Sequence, residues 1–266
     1  MQFRFQDGEN PFWENPQLPG KAPASKSQQW QNFGGDKTWP APQSDWLQVT
    51  GREWPPPAGF DAMPMQGEAI RNGVKLISSR DRSRSYGIRV ERLIQLDPEK
   101  AVMTVSTTYQ KITGKPQNVA IWVITQLREP IAIYAVLPRP SIFPKGYNQQ
   151  SNELPVDLKV QRGVLSLSRS ATTGHKIGCD SSRLLWVGKK VAMRIDVPRI
   201  RGADYPDQGS SAEIYTNPDP DAYVELEFLS PLKELHIGES IHFTTTYTLI
   251  RRSTISLETE SRKILD

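Results

Sequence analysis

Cysteine and histidine are scarce in this 266-residue chain, which holds one cysteine, Cys179, and three histidines, His175, His236 and His242. A single cysteine excludes an internal disulfide framework and a cysteine-built zinc site. Three scattered histidines supply no histidine-rich metal centre, so neither a metal nor another cofactor is expected. No run approaches the roughly 18 consecutive apolar residues of a membrane helix. The opening stretch MQFRFQDGENPFWENP carries no apolar signal core, which sets the expectation of a cytoplasmic protein without a membrane partner. Neither charge sign dominates: 33 Lys and Arg stand against 29 Asp and Glu, a net of +4. The densest basic run, Arg80-Asp81-Arg82-Ser83-Arg84, is short and contains its own carboxylate. Basic residues are not interleaved with aromatics, so a nucleic-acid partner is not expected. A Gly-x-Ser-x-Gly elbow, a phosphate-binding glycine loop, a zinc-protease motif and a repeat of fixed period are all missing.

Tryptophan and proline are abundant and unevenly placed. Trp13, Trp30, Trp39, Trp46 and Trp54 all precede residue 55, and ten of the 22 prolines precede residue 65. Proline fixes φ and removes an amide donor, so residues 1–66 read as an irregular segment with little helix or central strand. Their aromatic content is unlike that of a disordered tract. The segment is expected to lie over a scaffold as a long ordered loop, contributing to a cleft.

Residues 67–250 read as β. Met103, Val105 and Tyr109 alternate with polar neighbours, as do Val156, Leu158 and Val160, Met193, Ile195 and Val197, and Ile241, Phe243 and Tyr247. Between Tyr86 and Leu96 one apolar face is interrupted by Arg92. Val119–Leu127 and Ile131–Leu137 are nearly continuous apolar runs, as strands buried on both faces are. Turn chemistry at Asp97-Pro98-Glu99, Thr113-Gly114 and Arg162-Gly163 separates these runs at short spacings, which predicts an all-β, antiparallel sandwich. Residues 251–266 form a charged tail expected to fray. All three stretches make one domain.

The most informative run is Asn32-Phe33-Gly34-Gly35-Asp36-Lys37-Thr38-Trp39-Pro40-Ala41-Pro42-Gln43, continued by Trp46 and Trp54-Pro55-Pro56-Pro57. Sugars present apolar C–H faces ringed by hydroxyls, and they are held by flat aromatic surfaces beside amides and charged groups. Trp39, Trp46 and Trp54 are candidate stacking surfaces. Asn32, Lys37, Gln43, Arg80, Asp81, Gln126 and Lys176 are candidates for holding hydroxyls or stabilising charge. The opposing reading is that the tryptophans only pin a proline-rich loop to the sheet. Glu225 and Glu227, two apart on a strand, share a face with side-chain origins about 7 Å apart. Burial and mutual repulsion there would raise one pKa and make a candidate base; the opposing reading is a solvated outer face. His175, in a glycine-bracketed loop, is a candidate proton carrier. Cys179 reads as a small buried residue.

The runs Gly34–Gln43 and Trp54–Pro57, with Tyr223–Phe228 and Leu235–Leu249, resemble the galactose-mutarotase-like (aldose 1-epimerase-like) superfamily across most of residues 30–250. The resemblance implies a β-supersandwich with a carbohydrate cleft. It also implies that Glu225 or Glu227 matches the glutamate that takes the anomeric hydroxyl proton, while a histidine protonates the ring oxygen. The region matching that histidine, Thr113–Leu127, has none, and neither has Leu137–Tyr147, so His175 or Lys176 would have to replace it. Members begin with a strand or two ahead of the position of Met1. Three readings stand: a carbohydrate- or glycan-binding protein without the standard acid, an epimerase-like isomerase of a sugar or sugar phosphate, and a structural or protein-interaction sandwich whose tryptophans dock a partner.

Overall fold

A computed structural model describes residues 1–6, 8–18, 30–61, 63–79, 86–253 and 256–265. Arg80 and Asp81 lie outside the described residues. In chain order the strands are β1 (Asp36–Ala41), β2 (Met65–Ile70), β3 (Gly73–Ser78), β4 (Ile88–Leu96), β5 (Val102–Lys111), β6 (Gln117–Arg128), β7 (Ala132–Val136), β8 (Asn148–Gln149) and β9 (Lys159–Gln161). They continue with β10 (Val164–Leu167), β11 (His175–Cys179), β12 (Arg183–Val187), β13 (Val191–Asp196), β14 (Ala212–Thr216), β15 (Tyr223–Leu229), β16 (Lys233–Leu235) and β17 (Ser240–Arg251). All pair antiparallel into two sheets, one in the order β1-β6-β15-β14-β11-β8 with β16 on β6, the other in the order β2-β3-β4-β5-β17-β13-β12-β7-β10-β9. The architecture is a β-sandwich.

Alternation along each strand assigns one set of side chains to the space between the sheets. From the first sheet Val119, Ile121, Val123 and Leu127 of β6 and Val224, Leu226 and Phe228 of β15 enter the core; Val105, Tyr109, Phe243 and Tyr247 meet them from the second. Polar pairs lock the two sheets together. Arg92 of β4 is buried in the interior, where it pairs with Asp36 of β1. Asp36 also accepts from Tyr247 Oη at 2.5 Å and Thr125 Oγ1 at 3.0 Å, and Thr38 meets the Tyr109 hydroxyl at 2.6 Å. Arg92, which interrupts an apolar face in the sequence, is therefore the cationic half of a buried clamp. Losing one partner of such a pair would cost about 3–5 kcal/mol.

The Trp/Pro-rich segment is more regular than its composition suggests. β1 lies within it and pairs with β6 over six residues from Asp36↔Thr125 to Ala41↔Ala120. Pro40 is tolerated because β1 forms the edge of its sheet, with β6 as its strand partner. The charged tail is also ordered: Leu257–Leu265 is helical, with Ile264 and Leu265 packed on Leu185, Val187 and Ala192 of the second sheet. Its apolar residues are too few to catch the eye, yet they fall on one helical face. Val156, read as part of an alternating strand, is fully exposed, and only Lys159–Gln161 of that region is strand.

Candidate functional site

Side chains that do not enter the core of the first sheet project from its opposite face. The register aligns them in rows: Trp39↔Trp122, Lys37↔Ile124, Gln126↔Glu225, Glu225↔Tyr215, Glu227↔Glu213 and Tyr215↔Lys176. One face thus gathers Lys37 and Trp39 from β1, Trp122 and Gln126 from β6, Glu225 and Glu227 from β15, Glu213 and Tyr215 from β14, and Lys176 from β11. The motif Gly34–Trp39 is built for this. Gly34 has φ +83°, and a Cβ there would stand 2.3 Å from the Trp13 carbonyl oxygen, so only glycine fits. The following strand sends Asp36 and Thr38 inward to the clamp, and Lys37 and Trp39 outward to the site.

Charge is concentrated around Lys176. Its ammonium stands 2.8 Å from Glu213 Oε2 and 3.1 Å from Glu227 Oε2, with both carboxyl groups fully buried. It also lies over the Trp122 ring, 4.6 Å from the centroid. Trp122 Nε1 donates to Glu227 Oε2 at 2.7 Å, Gln150 Nε2 to Glu213 Oε1 at 2.7 Å, and Gln126 Nε2 to Glu225 Oε1 at 2.6 Å. The carboxylates hold Lys176 above the ordinary lysine range against the pull of burial. Glu227 is pushed well above the ordinary carboxylate range, first by burial and then by Glu213 and Glu225, with Lys176 acting the other way. Asp207, on a turn of left-handed residues, is pushed up to about 6 by burial and by Glu213. Tyr215 is raised by burial and by Glu225 and Glu227.

On the other side of Trp122 the tryptophans form a packed cluster. Trp39 lies edge-on to Trp30, Trp46, Trp54 and Trp122 at centroid distances of 6.2, 5.7, 5.9 and 5.4 Å. Asp61 accepts from the Trp30 and Trp39 indoles at 2.8 and 2.9 Å, and Trp46 donates to the Pro40 carbonyl at 2.8 Å. Lys37 Nζ donates to Asn32 Oδ1 at 2.9 Å and lies over the Trp30 and Trp39 rings. Burial holds its ammonium below the usual lysine range, opposed by Asp61, Glu225 and Asp36.

The candidates from the sequence therefore divide. Glu225, Glu227, Gln126, Lys176, Lys37 and Trp39 share one face, with Asn32 behind Lys37. Trp46 is wholly buried and offers no ligand surface, because its indole is spent on packing; Trp54 is 46 % exposed at the rim of the cluster. Gln43 is exposed at the start of the short 3-10 helix Gln43–Asp45. His175 departs from the expected loop: it opens β11, faces the opposite way from Lys176, and shares its side with Ile177 and Cys179 of the core. The sheet separates its ring from the carboxylates. Cys179 is buried, its thiol pushed up to about 12 by burial. Sequence reasoning misses Glu213, Tyr215, Trp122 and Asp207. The alternation Ala212-Glu213-Ile214-Tyr215 carries a signal for two of them, and nothing local marks Asp207. No group of acidic, histidine or cysteine side chains among the described residues has the arrangement of a metal site.

No protein-family model matches the chain, and no curated protein is significantly similar to it in sequence. Solved structures are similar to it. A galactose mutarotase-like protein of Lactobacillus casei superposes with TM-score 0.58 at 10 % identity, over 91 % of this chain and 90 % of that one. A candidate mutarotase of Salmonella typhimurium gives 0.57 at 11 %, over 92 % and 81 %. A candidate aldose 1-epimerase of Escherichia coli K12 gives 0.54 at 12 %, over 72 % and 70 %. The chain has the galactose-mutarotase-like fold. No helix among the described residues is long and apolar enough to cross a membrane.

Proposed function

We propose that the protein binds a carbohydrate on the face that carries Glu225 and Lys176. The observation that supports this most is the convergence, on one sheet face, of a partly exposed carboxylate, a lysine, an amide and a tyrosine beside a packed indole cluster whose exposed rim is Trp54. These are the groups that hold hydroxyls and cover C–H faces. The mutarotase-like proteins of the same fold make a sugar the natural ligand class to try first. Binding requires no proton transfer, and the histidine that the sequence lacks is not needed for it. Titration with a panel of mono- and disaccharides tests the reading by tryptophan emission, because Trp122 is bonded to Glu227 and covered by Lys176. A saturable change that is weakened at least tenfold in Lys176→Ala is expected. A flat response across the panel contradicts it.

A second reading is favoured by the contrast between the carboxyls. Burial pushes the Glu227 carboxyl well above the ordinary carboxylate range, two residues from Glu225. An acid and a base held together suit aldose ring opening, in which a base takes the anomeric hydroxyl proton and an acid protonates the ring oxygen. In that reading the protein is an aldose 1-epimerase-like isomerase, with Glu225 as base. Exchange between α and β anomers, followed by NMR, would exceed the buffer rate and fall at least a hundredfold in Glu225→Gln. Exchange at the buffer rate for every sugar leaves binding as the function.

A further inference from the structure

The face described above is short of hydrogen-bond donors and of mobile positive charge. Glu213, Glu225, Glu227 and Asp207 bring four carboxyl groups to it. Lys176 is the cation among them, and it is committed to Glu213 and Glu227 at 2.8 and 3.1 Å. Lys37 is occupied by Asn32 Oδ1 and two indole faces. Glu225 is the partly exposed member on β15, and no cationic group among the described residues comes within 4 Å of it; its protein partner is the neutral amide of Gln126. That bond also fixes the orientation of the Gln126 side chain. A carboxylate only accepts, so Nε2 must face Glu225, and Oε1 is left as an acceptor. Gln126 is fully buried, and its Oε1 receives no hydrogen bond from any described residue.

An unpaired buried acceptor beside a carboxylate without a cationic partner is costly, and it is relieved by a ligand that donates several hydrogen bonds and brings positive charge. A neutral sugar hydroxyl donates one hydrogen bond and carries no charge; an ammonium group donates three and neutralises a carboxylate. We propose that the ligand of this face is a hydroxylated primary amine, an amino sugar in its ammonium form, with its nitrogen received by the Glu225 carboxylate and the Gln126 carbonyl oxygen. The inference rests on the carbohydrate reading and narrows it to a charged class. Trp54, the exposed indole at the rim of the cluster, is the one with surface for the C–H face of the ring, and Tyr215 is placed for its hydroxyls.

Isothermal titration calorimetry at neutral pH with glucosamine and galactosamine, against glucose, galactose and N-acetylglucosamine, separates the possibilities. The amino sugars are expected to bind at least about tenfold tighter than their neutral counterparts, the scale of a charge-assisted hydrogen bond. The preference ratio should shrink as salt is raised and approach one in Glu225→Gln. The salt series needs no variant, so it stands even if Glu225→Gln fails to fold. Neutral sugars binding as tightly as amino sugars would overturn the inference and leave the carbohydrate reading standing. Ethylammonium binding as tightly as glucosamine would overturn it too, since a bare cation site needs no sugar. Absence of binding by every probe would overturn both.

Discussion

At the residue scale the clearest consequence belongs to Asp207. Burial and the neighbouring Glu213 push its carboxyl up to about 6 in the folded chain, from the ordinary 3.8 of the unfolded one. Between those values the folded state holds more protons, so stability falls as pH rises through that window and stays lowered above it. Asp207 has φ +51°, a conformation asparagine accepts, so Asp207→Asn removes charge without adding backbone strain. The variant is expected to gain up to about 3 kcal/mol at pH 7, the linkage worth of a rise of about two pKa units, and a Tm higher by several degrees. The gain should vanish below about pH 4, where both forms are neutral. A gain that is the same at pH 4 and pH 7 in calorimetric scans would show that the charge of Asp207 is not its source. Single residues are also where the sequence is least legible. The like-facing pair Glu225 and Glu227 follows from the two-residue period alone, but the burial of Glu227 does not. It depends on Trp122 and Lys176, 105 and 51 positions away in the chain.

At the scale of elements, β1 shows how much a short motif can set. Two glycines at positive φ turn the chain, and four residues of strand then send Asp36 and Thr38 to one side and Lys37 and Trp39 to the other. Gly34 and Gly51 separate two contributions to this design. Both have φ near +80°, but a Cβ at Gly34 meets the Trp13 backbone, whereas at Gly51 it meets nothing within 4 Å. Gly51→Ala is expected to cost about 1 kcal/mol, the conformational part. Gly34→Ala should cost about 2 kcal/mol or more, because backbone must also move. Urea unfolding with unchanged m values measures both, and equal costs would remove the close approach as the reason for the glycine. The alternation of β15 and β17, and the continuous apolar run of β6, are readable in the amino-acid sequence by themselves. The strand in the proline-rich segment is not, because an edge strand needs no donor at Pro40 and composition alone argues against it. The helix Leu257–Leu265 is hidden for a similar reason: few apolar residues, all on one side.

At the scale of the molecule, the two sheets divide the labour. Their shared interior holds the apolar core and the Arg92–Asp36 clamp, and the outer face of the smaller sheet holds the charge cluster and the indoles. The sandwich class is legible from strand spacing and turn chemistry, since those are local. Which face each acid occupies is legible only as a choice of two, and the meeting of β11, β14, β15 and β6 is a matter of register between distant segments. His175 illustrates the limit: a shift of one position along β11 would put its ring where Lys176 stands, and sequence pattern alone does not fix that phase. The most direct test of a saccharide site on this face follows the indole N–H resonances of 15N-labelled protein during sugar titration. The Trp122 indole, bonded to Glu227, is expected to shift saturably, while that of Trp186, bonded to the Arg128 carbonyl between the sheets, stays still. A titration in which Trp122 never moves for any neutral or amino sugar, or in which Trp186 moves instead, would contradict the account.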